Sequence, residues 1–384
     1  MADKRTFLTA GGYVGLRAPL PFTNAAAVSS AALVCQPLVF KAAKHLLKET
    51  AVSIGLEGIA LSRAGKFLPS AGGRGVIFTL HHVRPRQANI YDPNAHLSIT
   101  PEFLEDAILA SLKSGLIPVA LEDLPTLLAR PGAAGRYVCF TLDDGYRNNA
   151  EFAAPVFRKH GIPYTIFITA GFVERTHTLW WETAGRLVGR AERLEFDFGR
   201  GLERLPLQTR SQKLSAFQRF ATFVQAMDED QAVARIDAAA RQNGIDPLAM
   251  VSELTMGAGE LRTLARDPLV SFGAHTLTHA NLRRVDELRL RAEVVESAKA
   301  VETYTGRYPA SFAYPYGFAS AVGERETRAV ADAGFAIAVT TQPGVLRAEN
   351  LGRPTAFNRV SLNGLYQKKR YVEALISGLP FKLI

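Results

Sequence analysis

The chain is poor in the residues that announce many structural classes. It has two cysteines, Cys35 and Cys139, in 384 residues. They lie far apart and form no CxxC pair, which excludes a disulfide framework and predicts free thiols. Cys139 stands in an apolar run and reads as a core residue. There is no glycine-rich phosphate loop, no internal repeat and no low-complexity tract. No basic run interleaves with aromatics, so nucleic acid is not an expected partner. No segment offers about 20 strongly apolar residues, the length a membrane-spanning helix needs. Charged residues make up only 21% and hydrophobic ones 47%. That balance excludes wholesale disorder and supplies a sizeable core. The length fits one large α/β domain with extensions.

What is present begins with charge. The formal net charge is +9, which favours anionic partners such as a membrane surface or an acidic glycan. Residues 18–40 carry no charge and follow Lys4, Arg5 and Arg17. This imitates a signal peptide poorly: Pro21 and Pro37 interrupt it, no small-x-small site follows, and Val34 before Cys35 does not suit a lipoprotein site. Residues 1–37 are therefore expected to be an unstructured extension, and 38–72 a helical segment. There, apolar residues at 40, 43, 47, 51 and 54 share one face, with Lys41, Lys44 and Lys48 off it. The helix either packs on the domain or lies on an anionic membrane. The expected location is cytoplasmic, with peripheral membrane association or export as alternatives.

From 73 to 384, strand and helix signals alternate, which implies parallel pairing. Strands are predicted at 76–81, 117–120, 137–142, 164–169, 269–273, 311–314 and 336–340. Thr100-Pro101 opens a helix as N-cap and first residue. Helices also precede Gly161, Gly306 and Gly334. Between about 178 and 267 the pattern turns mainly helical, an insertion between strands. The strand count favours a barrel over a doubly wound sheet.

Polar clusters stand at the C-terminal ends of these strands, the face where a parallel barrel gathers its chemistry. They are His81-His82, Asp143-Asp144, His275 with His279, and Pro315-Tyr316-Gly317. Neighbouring carboxylates repel, so Asp143 and Asp144 call for a compensating cation, unless the pair is a plain Asp-Gly surface turn. His275 and His279, at i and i+4, reach one ion from a helix or tight turn. Oxygen and nitrogen donors without thiolate suit Zn²⁺, Co²⁺ or a related ion. A core or capping role for the histidine pair stays open on spacing alone.

These residues carry a family resemblance. Thr141-Leu142-Asp143-Asp144-Gly145 resembles the T-F-D-D-G motif of the polysaccharide deacetylases, the NodB-homology domain of carbohydrate esterase family 4. His275-Thr276-Leu277-Thr278-His279 resembles their H-[ST]-x-x-H motif, and Phe312-Ala313-Tyr314-Pro315-Tyr316-Gly317 their third motif. The resemblance spans about residues 75 to 365. It implies a distorted (β/α) barrel of seven or eight strands and metal-dependent removal of N-acetyl groups from an acetylated glycan. Asp143 would be the general base, and Asp144, His275 and His279 the metal ligands.

Two departures stand out. No histidine follows His279, so the late acid of the usual family is missing. Leu80-His81-His82-Val83 resembles the Y-H motif of one branch, which assigns the acid to His82, with His81 as fallback. The arginine that commonly steadies the base is replaced near Ala310-Ser311, leaving Arg359 or Arg147 as substitutes. Tyr146, Tyr316, Trp180 and Trp181 are candidate sugar contacts, the tryptophans equally candidates for core anchors. The alternatives to a deacetylase are a glycan-binding domain without turnover and an amidohydrolase acting on a non-polymeric or lipid-linked amide.

Overall fold

The computed structural model describes residues 50–62, 65, 68–86, 91–130 and 135–382. The expected extension at 1–37 and Cys35 lie outside them. Seven parallel strands form a closed ring: β1 (Gly75–Leu80), β2 (Tyr137–Leu142), β3 (Tyr164–Ile168), β4 (Val270–Ala274), β5 (Ser311–Ala313), β6 (Ile337–Pro343) and β7 (Phe357–Ser361). Around the ring the order is β1-β7-β6-β5-β4-β3-β2, and β2 closes onto β1. This is the distorted (β/α)7 barrel that the resemblance implies.

Successive side chains on a strand point to opposite faces. Ile77, Cys139, Phe167, Ala313, Val339 and Phe357 point inward and pack together in the lumen. Val76, Phe78, Leu80, Val138, Phe140 and Leu142 point outward, under the surrounding helices. Both faces are buried, hence the continuous apolar runs of a parallel sheet. Cys139 is a buried free thiol, as expected.

β1 and β2 pair residue for residue, from Gly75 with Tyr137 to Leu80 with Leu142. That register brings the chain beyond Leu80 beside the chain beyond Leu142, where Asp143 donates its backbone N–H to Leu80 O.

Several expected elements appear with their predicted signals. Thr100 caps Pro101–Lys113 by accepting from the Phe103 N–H. Glu287–Thr305 ends at Gly306 in the left-handed conformation. The strand expected at 117–120 is only Ile117–Pro118; Pro118 has no N–H to continue a ladder, and a 3-10 turn follows at Leu121–Asp123. β7 has no counterpart in the sequence reading.

The segment between β3 and β4 contains six helices and an antiparallel ribbon, Arg193–Asp197 with Leu202–Pro206, which the helical reading omits. In the ribbon, Leu194, Phe196 and Leu205 are buried between more exposed neighbours. This alternation has the two-residue period of a half-covered strand. The segment has its own core around Phe196, Phe217, Phe220 and Phe223. Truncating buried Phe220 to alanine is expected to cost about 3–5 kcal/mol.

Residues 50–62 are helical, with Leu56 buried against Tyr371 and Ala374 of the C-terminal helix Lys369–Ile376. No helix among the described residues is long and apolar enough to cross a membrane.

Candidate active site

Asp143 and Asp144 follow β2, where the chain leaves the barrel. Gly145 turns it with φ +65°. A Cβ there would also meet Ile168 Cδ1 at 2.9 Å. Five non-glycine residues among those described have positive φ, and four of them are Asp144, Thr276, His279 and Tyr316. Such conformations cost about 1–3 kcal/mol each and gather where the surroundings fix an active arrangement. Here they stand beyond the tips of three strands, β2, β4 and β5.

The turns converge. One donor atom each from Asp144, His275 and His279 lies within 4.8 Å of the others. Both imidazole Nε2 atoms stand 3.5 Å from Asp144 Oδ1. Ligands about 2.1 Å from a tetrahedrally held zinc would stand about 3.4 Å apart. Asp144 Oδ1 is buried without a hydrogen-bond partner among the described residues, a costly arrangement unless a cation completes it. Burial, then the Asp143 charge, pushes the Asp144 carboxyl well above its usual range. Burial also lowers both imidazoles, His279 strongly, so they are neutral and able to ligate. His275 Nδ1 faces Ala313 O at 2.7 Å, which fixes the proton there and leaves Nε2 as the donor. These residues fit a divalent ion.

Asp143 has a different partner. Arg359, from β7, grips it with two bonds of 2.7 Å. The guanidinium also donates to Thr340 O and Thr141 Oγ1. Burial alone would raise the Asp143 carboxyl; the Arg359 charge and hydrogen bonds reverse that and hold it below the ordinary carboxylate range. Arg359 thus fills the place of the arginine missing near the third motif. Arg147 is engaged elsewhere, with Glu260 and the carbonyls of Glu253 and Thr255.

The two adjacent histidines separate. His81 continues the inward parity of Ile77 and Thr79, and its Nε2 lies 3.9 Å from Asp143 Oδ2. Its side chain keeps 22% exposure. Burial pulls its pKa down to about 4, against the opposing pull of Asp143. His82 is fully buried against the Tyr146 ring, centroids 3.6 Å apart. Asn148 Nδ2 donates to its Nδ1 at 2.7 Å, and its Nε2 faces Glu182 Oε1 at 3.4 Å. Both His82 nitrogens are therefore occupied, and the imidazole beside Asp143 is that of His81. The Asn149 amide holds the His81 carbonyl from a π-helical turn, Asn149–Ala153.

The expected sugar contacts also lie differently. Tyr146 is fully buried, and Trp180 and Trp181 nearly so. The Trp180 indole N–H donates to Tyr316 OH and that of Trp181 to Tyr146 OH. Trp181 and Phe172 flank the His279 ring. Tyr146 is enclosed, whereas Trp180 and Trp181 line a cavity beside His279 and Glu229; Tyr316 is half-buried. Sequence reasoning missed the supporting carboxylates. Glu229 accepts from Tyr316 OH and the Asn281 N–H. Glu293 accepts from the backbone N–H groups of Leu277 and Thr278, holding the turn before His279.

A closed parallel barrel with a buried Asp-His-His set and a separately held carboxylate defines a barrel hydrolase with a candidate metal centre. The family model for polysaccharide deacetylase matches residues 131–196 and 222–337, and the chain belongs to that family. The matched stretches contain Asp143, Asp144, His275 and His279 but neither His81 nor Arg359. No curated protein matches the sequence. Among solved structures, the Streptococcus pyogenes deacetylase PplD in complex with acetate is similar at 14% identity and TM-score 0.48, over 76% of this chain and 93% of that one. IcaB from Ammonifex degensii is similar at 16% identity and TM-score 0.46, over 78% and 96%. A de-N-acetylase from Aggregatibacter actinomycetemcomitans is similar at 12% identity and TM-score 0.45, over 74% and 93%.

Proposed function

We propose that this chain is a metal-dependent hydrolase that removes N-acetyl groups from an N-acetylated oligo- or polysaccharide, releasing acetate. One observation carries the reading. A three-donor Asp-His-His set stands next in sequence to a second carboxylate that a buried arginine keeps charged. The first suits an ion and the second suits a base, so the two neighbouring aspartates divide the work.

Asp144, His275 and His279 would hold the ion, and their oxygen and nitrogen donors favour Zn²⁺. When bound, it would supply Lewis-acid polarisation of the acetyl carbonyl. Asp143 takes the proton of the attacking water while Arg359 fixes its orientation. A carboxylate held at such low basicity is a poor resting place for a proton. His81, 3.9 Å away with a pKa of about 4, is the more basic next stop. We therefore assign His81, rather than His82, as the group that protonates the departing nitrogen. The Tyr316 backbone N–H is assigned to the developing oxyanion. A C–O bond forms, the amide C–N bond breaks, and acetate and a free sugar amine leave.

The test is acetate and amine release from N-acetylglucosamine oligomers by the full chain with Zn²⁺ or Co²⁺. Turnover should require the ion. Asp144→Ala should lose ion binding and turnover together, and Asp143→Asn should lose turnover while keeping the ion. An ion-loaded chain that binds these oligomers but frees no acetate would favour a glycan-binding domain and overturn the proposal.

A further inference from the structure

The helix at 50–62 has two unlike faces. On one, Leu56 is buried against Tyr371 and Ala374. Glu57, its one charged residue, also turns to the domain, where Tyr371, Lys368 and Arg370 hold it. Ile54 lies two residues before Leu56, about 200° around the helix, and points the other way. It is 67% exposed, and Leu61, two turns on, is 71% exposed. The exposed residues of 50–62 include no charged side chain. Single exposed leucines are ordinary, but the outer face of a helix on a water-facing surface normally carries charge.

In the sequence, the helical register of Ile54 and Leu61 runs back through Leu47, Ala43 and Phe40, with Lys41, Lys44 and Lys48 to one side of it. This apolar stripe therefore faces away from the domain where the structure describes it, and the opposite face does the packing. From 41 to 66 the chain has five lysine or arginine residues against two glutamates, one of which is the paired Glu57. The helix Pro101–Lys113, which also packs on Lys369–Ile376, leaves Leu109 and Leu112 exposed beside the largely exposed Lys113. Aliphatic side chains on an uncharged face with cations at its edge suit the interface of an anionic bilayer. A second copy of the chain suits it less well, because a two-fold contact sets the same patch against itself and brings cation to cation. We infer that the outer face of 50–62 is a docking surface for a bilayer rich in anionic lipid. Leu56 and Glu57 fix the inner face of the helix, so the outer face carries the barrel to the membrane surface. Two aliphatic anchors and a few cations make that association reversible.

The full chain is sedimented with vesicles of phosphatidylcholine alone, or of an equal mixture with phosphatidylglycerol. Binding should need the anionic lipid and should weaken as salt screens the charges. Ile54→Ala with Leu61→Ala keeps the net charge and the helix, and should weaken binding to the mixed vesicles about 10-fold. Ile54→Glu with Leu61→Glu should abolish it, with circular dichroism verifying that both variants fold. Binding that ignores the alanine pair, or that is equal on the two vesicles, would overturn the proposal. Sedimentation velocity without lipid examines the other occupants. Self-association that the glutamate pair abolishes, with no vesicle binding, would assign the face to a second copy. A monomer that binds no vesicle would leave the face to another segment of this chain. Either result overturns the bilayer as partner, and none of these readouts depends on turnover.

Discussion

Asp143 and Arg359 are 216 residues apart in sequence and share two hydrogen bonds of 2.7 Å in the barrel lumen. Burial opposes a charged carboxylate there, and the guanidinium offsets it. Replacing Arg359 with glutamine removes the main influence opposing burial, so the Asp143 carboxyl should rise. As the proposed base, Asp143 would be active only when charged. The acidic limb of kcat/KM should therefore move to higher pH in Arg359→Gln, with activity lost as pH falls through the raised value. Removing one partner of a buried pair should also cost about 3–5 kcal/mol of stability, read as a lower denaturant midpoint. A variant whose pH profile overlays that of wild type would show that Arg359 does not hold the base.

Two elements illustrate how far pattern reading extends. β2 and the helix Glu287–Thr305 have the bounds their sequence signals predict, because apolar runs and glycine stops are local features. β7 was not legible: Phe357–Ser361 includes a polar Asn and a buried Arg, and only its partners β1 and β6 make it a strand. The helical stretch at 50–62 has a charge-dependent dock. Hydrogen bonds from Tyr371, then Arg370, lower Glu57 to about 2, with Lys368 adding to them. A carboxylate lowered on folding contributes stability above its unfolded pKa, near 4.5, and loses it as pH falls toward 2. Amide exchange in residues 50–62 should therefore quicken, relative to the barrel strands, as pH drops through that window. Glu57→Gln should remove this pH dependence. Equal trends in both proteins would dissociate docking from Glu57.

At the scale of the molecule, the barrel ring and the segment between β3 and β4 meet at the candidate metal centre, so an ion there should stabilise the fold as a whole. A ligand at 100 times its dissociation constant adds about 2.7 kcal/mol to a folded state that alone binds it. Zn²⁺ should raise the Tm by a few degrees, a chelator should reverse the rise, and Asp144→Ala should not respond. An equal rise in that variant would place the ion elsewhere. The chain's own sequence determined the alternation of strands and helices, the seating of polar clusters at strand tips, and the identity of the Asp-His-His set, because these depend on residue type and short spacing. Only the tertiary structure decided that His81 rather than His82 stands by Asp143, that Arg359 rather than Arg147 holds that carboxylate, and that the tryptophans turn inward. Each of those outcomes depends on which distant strand or helix packs alongside, and local periodicity carries no record of that.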